Sequence, residues 1–115
     1  MNGDKFNQLI QELLEQTKAG KLRWEETAAR NTFRIIVGEH MIRLEKEVDA
    51  SRTAFYSIVL MDRKGEIIDG LYNLDAEQEA MLRELHTCAS KPIEKKKEKA
   101  IDSVLSALKS GHDSR

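Results

Sequence analysis

Residues 55–72, FYSIVLMDRKGEIIDGLY, alternate as two strands around a tight turn do, yet both alternating faces are apolar. Successive side chains on a strand point to opposite sides of a sheet, so helices of the same chain can pack on one side while the other needs a second cover. Asp62-Arg63-Lys64-Gly65 suits a type I turn with Gly65 in the left-handed conformation as a bulge. That turn predicts a register with Met61 against Ile67, Leu60 against Ile68, Val59 against Asp69, Ile58 against Gly70, Ser57 against Leu71 and Tyr56 against Tyr72. Tyr56, Ile58, Leu60, Ile68 and Tyr72 then form an uncharged face, assigned to the helix-packed core. Phe55, Val59, Met61, Ile67 and Leu71 share the outer face with Ser57 and Asp69.

The segment TFRIIVGEHMIRLEKE, residues 32–47, repeats the logic around Gly38-Glu39, where glycine at the first central position suits a two-residue type II′ hairpin turn. Phe33, Ile35, Val37, Ile42 and Leu44 fall on one face. Ile36 and Met41 fall on the other, beside Arg34 and Arg43, which the register sets directly opposite each other. Before this hairpin, KLRWEETA alternates Leu22 and Trp24 against Arg23 and Glu25 and reads as a half-buried strand closed by a turn at Ala29–Asn31.

Helices flank the strands. Phe6, Leu9, Ile10, Leu13 and Leu14 recur at helical spacing between Asp4, a candidate N-cap, and Gly20, a stop, predicting an amphipathic helix over 5–18. Asp75 and Gln78 have capping-box spacing ahead of a second helix striped by Met81, Leu85 and Cys88. Pro92 disfavours helical geometry at Lys91, so a break or kink is expected there, before a third helix striped by Ile101, Val104, Leu105 and Leu108. That helix should end near Gly111, with residues 112–115 frayed. The expected fold is α+β: an N-terminal helix, a five-stranded antiparallel meander and two C-terminal helices, as a single domain over 1–115.

LLEQTKAGKLRW, followed by two hairpins with DRKGEIID in the second, resembles a small uncharacterised bacterial domain. Its pattern is an N-terminal helix, a T-x-x-G-K-x-x-W-like opening, an antiparallel meander and C-terminal helices. The resemblance covers most of residues 5–110; it implies the fold and brings no activity, cofactor or partner.

At 115 residues, 40% hydrophobic and 34% charged, the chain has the composition of a globular domain, and its net charge of −1 gives no bulk attraction to nucleic acid or acidic membrane. No apolar run approaches the roughly 18 residues of a membrane span, and the N-terminus lacks the basic start and apolar run of a signal peptide. With one cysteine, Cys88, and so no internal disulfide, the expected location is cytoplasmic.

No constellation carries catalysis. His86 and Cys88, two apart on a helix, point roughly 200° apart and cannot clamp one metal. His40 and His112 read as surface histidines, Cys88 as a small core residue. The acidic pairs at 25–26 and 45–47 lie on strands where neighbours diverge, so they do not converge as a general acid and base must. No enzyme, cofactor or metal site is expected; a small enzyme or ligand-binding domain is the least favoured reading. Residues 91–115 hold seven basic and four acidic side chains, net +3. Glu94, Glu98 and Asp102 interleave with Lys95–Lys99, so a solvated helix face is expected and nucleic-acid binding is not. Arg34 and Arg43 are the best candidate anion site, and with the Lys95–Lys99 helix they form the alternative reading, a polyanion or nucleic-acid binder. Ile36, Met41, Phe55, Val59, Met61, Ile67 and Leu71 are together more apolar surface than a soluble monomer usually leaves bare. The expected function is therefore a non-catalytic protein-interaction module. Its outer sheet face would be covered by a second copy as a homodimer or by another protein, unless the third helix covers it within the chain.

Overall fold

The computed structural model describes residues 3–111 and is α+β, with an N-terminal helix, a five-stranded antiparallel sheet and a C-terminal helix. In chain order these are α1 (Gly3–Lys18), β1 (Glu25–Glu26), β2 (Thr32–Val37), β3 (His40–Val48), β4 (Ala54–Asp62), β5 (Ile67–Leu71) and α2 (Ala76–Lys109). The strands pair in sequence order, the meander expected from the sequence. Strand β1 is shorter than its alternation predicts, only two residues, although Trp24 just before it is buried. The expected frayed tail, with His112, lies outside the described residues.

Local chemistry sets the ends. Asp4 lies in the first turn of α1, which begins two residues earlier than a cap at Asp4 would have it. Gly20, at φ +75°, ends the helix as its N–H bonds the Thr17 carbonyl and the Lys21 N–H bonds that of Gln16. Thr17 Oγ1 then accepts a 3.0 Å hydrogen bond from the Trp24 indole and donates to the Leu13 carbonyl, so the T-x-x-G-K-x-x-W stretch ties the helix end to the first strand. At Gly38-Glu39 only the glycine has positive φ, as a type II′ turn requires, and every predicted β2–β3 pair is present. Asp75 and Gln78 close both bonds of the capping box.

Two expectations are corrected. The first is the register of β5. Met61 pairs with Ile67 as predicted, but a bulge between Leu60 and Met61 makes Ile68 an extra residue, so Leu60 pairs with Asp69, Val59 with Gly70 and Ile58 with Leu71. The slip carries Leu71 inward to the core and leaves Ile68 and Tyr72 exposed, exchanging the assigned faces beyond the bulge. Leu71 is thus a core residue and not part of the outer face. The second is the C-terminus, where α2 runs unbroken through Pro92. Proline removes one hydrogen bond, to the Cys88 carbonyl, at a cost of about 3 kcal/mol. That cost is local, and the residues on either side, chiefly Ala, Glu, Lys and Leu, are strong helix formers.

Both helices pack on the same side of the sheet. Leu44 and Ile58, paired across β3 and β4, are fully buried with Ile10 of α1 and Leu82 and Leu85 of α2. Around them sit Phe6, Leu13, Trp24, Phe33, Ile35, Ile42, Tyr56 and Leu71. Beyond Ile93 every described residue of α2 is exposed, and the molecule extends 59 Å along its long axis.

His86 lies inside this core, a placement the sequence did not signal. Its ring is 4.8 Å from that of Phe33 and 5.8 Å from that of Tyr56, and Nε2 is 2.9 Å from the Asn31 carbonyl oxygen. A carbonyl can only accept, so Nε2 carries the proton of a neutral ring. Burial holds the His86 pKa below the usual 6.5, the Asn31 carbonyl opposes this, and the charge of Lys46 adds to the lowering. In the unfolded chain the imidazole takes up a proton near 6.5, whereas the native ring stays neutral to lower pH. Stability from this site is therefore complete above 6.5 and lost as pH falls from there through the native value. The melting temperature should drop between about pH 7 and 5.5, and His86→Phe should flatten that drop, read by circular dichroism melts across the window.

Candidate functional site

The side of the sheet away from the helices is built in cross-strand rows. One row is wholly apolar: Ile36 pairs with Met41, Met41 with Met61, and Met61 with Ile67, so it crosses β2 to β5 without a polar side chain. Strands lie about 4.8 Å apart, which gives the row a length of roughly 14 Å. The next row runs Glu25, Arg34, Arg43, Val59 and Gly70. Farther along, Thr32, Glu45 and Ser57 align, followed by Glu47 and Phe55.

Ile36, Phe55, Ile67 and Tyr72 are 59%, 57%, 58% and 56% exposed. Met41 is half-buried, and Met61 is buried between its two neighbours in the row. Val59, by contrast, is fully buried within the protomer. A Cβ at Gly70, its cross-strand partner, would lie 2.6 Å from Cε2 of Tyr72, so the tyrosine ring folds back over the glycine beside Val59. Glycine there lets the ring occupy the place of a side chain, and a Cβ would have to push the ring aside. Of the seven residues expected on this face, six are placed there and Leu71 is not. Tyr72 was missed, because the bulge that turns it outward has no marker in the sequence.

The opposed arginines are each neutralised within the chain. Arg34 Nη2 is 3.5 Å from Glu25 Oε2 across the β1–β2 pair, and Arg43 Nε is 3.3 Å from Glu45 Oε1 on its own strand. These acids supply the relief that the Arg34–Arg43 juxtaposition demands. The Arg43 contact is an ion pair by distance but not a hydrogen bond by direction, and it leaves the buried Nε without a hydrogen-bond partner. On α2, Lys97 bonds Glu26 of β1 and lies 3.8 Å from Glu94, and these two acids, the bonded Glu26 foremost, hold its pKa above 10.5.

A separate open cleft of about 700 Å³ lies between the α1–β1 segment and α2, with Leu22, Trp24, Cys88, Pro92 and Ile93 on its walls and Arg23 and Lys96 among its charged lining. Cys88 is half-buried there, not fully enclosed in the core. The Trp24 indole N–H is already bonded to Thr17, and Lys97 to Glu26. Among the described residues no three His, Cys, Asp or Glu side chains gather as a metal requires, and no helix is long and apolar enough to cross a membrane. Comparison of the chain with family models, with curated proteins and with solved structures finds no match.

If Glu45 is what balances the arginine pair, Glu45→Gln should destabilise the fold by about 0.2–1 kcal/mol at low salt, and by less at high salt where the repulsion is screened. Denaturant titrations at two ionic strengths measure this. Selective recovery with phosphate over chloride would instead mark the pair as an anion site.

Proposed function

We propose that this chain is a non-catalytic protein-interaction module that associates with a second copy of itself through the outer face of its sheet. The observation that carries the reading is the apolar row Ile36–Met41–Met61–Ile67, with both ends more than half exposed and the chain's helices packed on the opposite side. Soluble monomers rarely present a contiguous apolar surface of this kind, and a closed two-fold pair is the commonest way to bury a self-complementary one. Polar rows beside the apolar one give the centre-and-rim arrangement of such surfaces.

The natural variant for a test is Ile67→Asp. Val59 is fully buried in the protomer itself, so a charge there would strike the fold as well as the interface. In sedimentation equilibrium the wild type should show a concentration-dependent mass reaching that of a dimer, whereas Ile67→Asp should sediment as a monomer that still unfolds cooperatively. A wild type that stays monomeric at concentrations on the order of tens of micromolar overturns the reading.

The lysines of α2 support this reading over polyanion binding, since Lys97 is engaged by Glu26 and Glu94 and acids interleave with the rest. At about 0.15 M salt, labelled single-stranded and duplex oligonucleotides should show no submicromolar binding. Tight binding lost on changing Lys95, Lys96 and Lys97 to Glu would favour the polyanion reading instead.

A further inference from the structure

The chain leaves a second apolar surface without a partner. His86, Ile93, Lys97, Ile101, Val104 and Leu108 follow one another along α2 at intervals of three, four or seven residues, so they form one stripe down one side of the helix. Over the sheet, that side is the one that packs: His86 meets Phe33 and Tyr56, and Lys97 reaches Glu26 on the edge strand β1. Past β1 the stripe turns apolar again, and no described residue covers it. Ile101, Val104 and Leu108 are each more than half exposed, and Leu105 is close to half. The stripe thus continues one edge of the packed side of α2, the His86 edge, with the fully buried Leu82 and Leu85 about 40° and 100° round the helix from it. Because α2 is continuous through Pro92, this distal part cannot fold back over the outer face of its own sheet.

We infer that residues 94–109 of α2 lie on the outer sheet face of a second copy, each protomer giving one helix and receiving one. This rests on the outer face being the self-association surface and names what covers it. The stripe from Ile101 to Leu108 is about 10 Å long, which fits within the apolar row of roughly 14 Å. Glu98 and Asp102 follow Lys97 and Ile101 by one position, so both stand on the same flank of the stripe, about 100° round the helix. With the stripe on the apolar row, that acidic flank faces the adjoining row, where the Arg34 and Arg43 side chains stay partly exposed beside the Glu25 and Glu45 carboxylates that already pair with them. Pairing of two distal helices with each other fits less well. Lys97 interrupts the apolar positions and bonds its own chain, leaving only two turns where a self-sufficient helix seam takes three to four heptads.

Sedimentation equilibrium on the full-length wild type, on Ile36→Glu, on Val104→Glu and on an equimolar mixture of the two variants tests the exchange. Val104 projects beyond the folded body and Ile36 is largely exposed, so both variants should still unfold cooperatively, at the temperature of the undimerised wild type; Ile67→Asp replaces Ile36→Glu if that variant does not. The expected result is a wild-type dimer, dissociation constants raised about 100-fold or more in each variant, and partial recovery of dimer in the mixture. Recovery follows because the Ile36→Glu chain keeps a sound helix and the Val104→Glu chain a sound sheet face, so one of the two contacts re-forms. Neither sheet-on-sheet nor helix-on-helix association recovers in this way. If Val104→Glu dimerises like the wild type while Ile36→Glu does not, the exchange is overturned and the outer-face reading stands. If Ile36→Glu dimerises normally and Val104→Glu does not, both fall and the helices pair with each other. A mixture that stays monomeric overturns the exchange, and a monomeric wild type overturns both.

Discussion

The contact on which the structure depends is the packing of α1 and the first half of α2 against the paired Leu44 and Ile58 at the centre of the sheet. Ile10, Leu82 and Leu85 meet them with no solvent access, so all three layers of contact converge at one point. At about 1.5–3 kcal/mol for each large apolar side chain removed from water, these few residues account for a substantial share of what holds a small domain together. Both helices are committed to that side, and none is left for the other. The exposed apolar row on the outer face is therefore a consequence of how the core is built, as much as of the sequence of β4.

Much of this was legible because its causes are local. A glycine at the first position of a two-residue turn fixes the register of β2 and β3, and with it every cross-strand partner, since side chains alternate strictly from there. The capping box at Asp75 and the Gly20 stop have similarly short range. The loop Asp49–Thr53 shows what happens when the same geometry loses its usual marker. Asp49 accepts from the Ser51 and Thr53 N–H groups as Asp62 accepts from Lys64 and Glu66, but the left-handed position taken by Gly65 in one loop is taken by Arg52, at φ +66°, in the other. Without glycine the turn is silent in the sequence.

The failures were of longer range. Whether β5 carries an extra residue at Ile68 is decided by what each register buries: the bulge seats Leu71 against Ile58 and lets the Tyr72 ring lie over Gly70. Nothing near Ile68 encodes that choice. The burial of His86 was hidden for the same reason. Its partners, Phe33 and Tyr56 on two strands and the Asn31 carbonyl in the turn before β2, are far away in the chain. The apolar face, the candidate site, could be read as a composition of alternating residues, whereas the division of that face into an apolar row and an arginine row needed the three-dimensional register.

Pro92 joins the fold to the proposed function. A proline in a helix interior costs about 3 kcal/mol, and an isolated helix of some 15 residues is only marginally stable in water, so residues 94–109 gain little from local propensity alone. They gain little from their own chain either, since Lys97 to Glu26 is a solvent-exposed ion pair. Had the helix broken at Lys91, as the proline suggests, its apolar stripe could have folded back onto the same chain. Continued straight, it leaves Ile101, Val104 and Leu108 exposed. In the proposed exchange, helix continuity and association are one equilibrium: docking on a second sheet offsets the cost of carrying the helix through Pro92, and the rigid helix delivers its stripe and acidic flank to the partner in a fixed orientation.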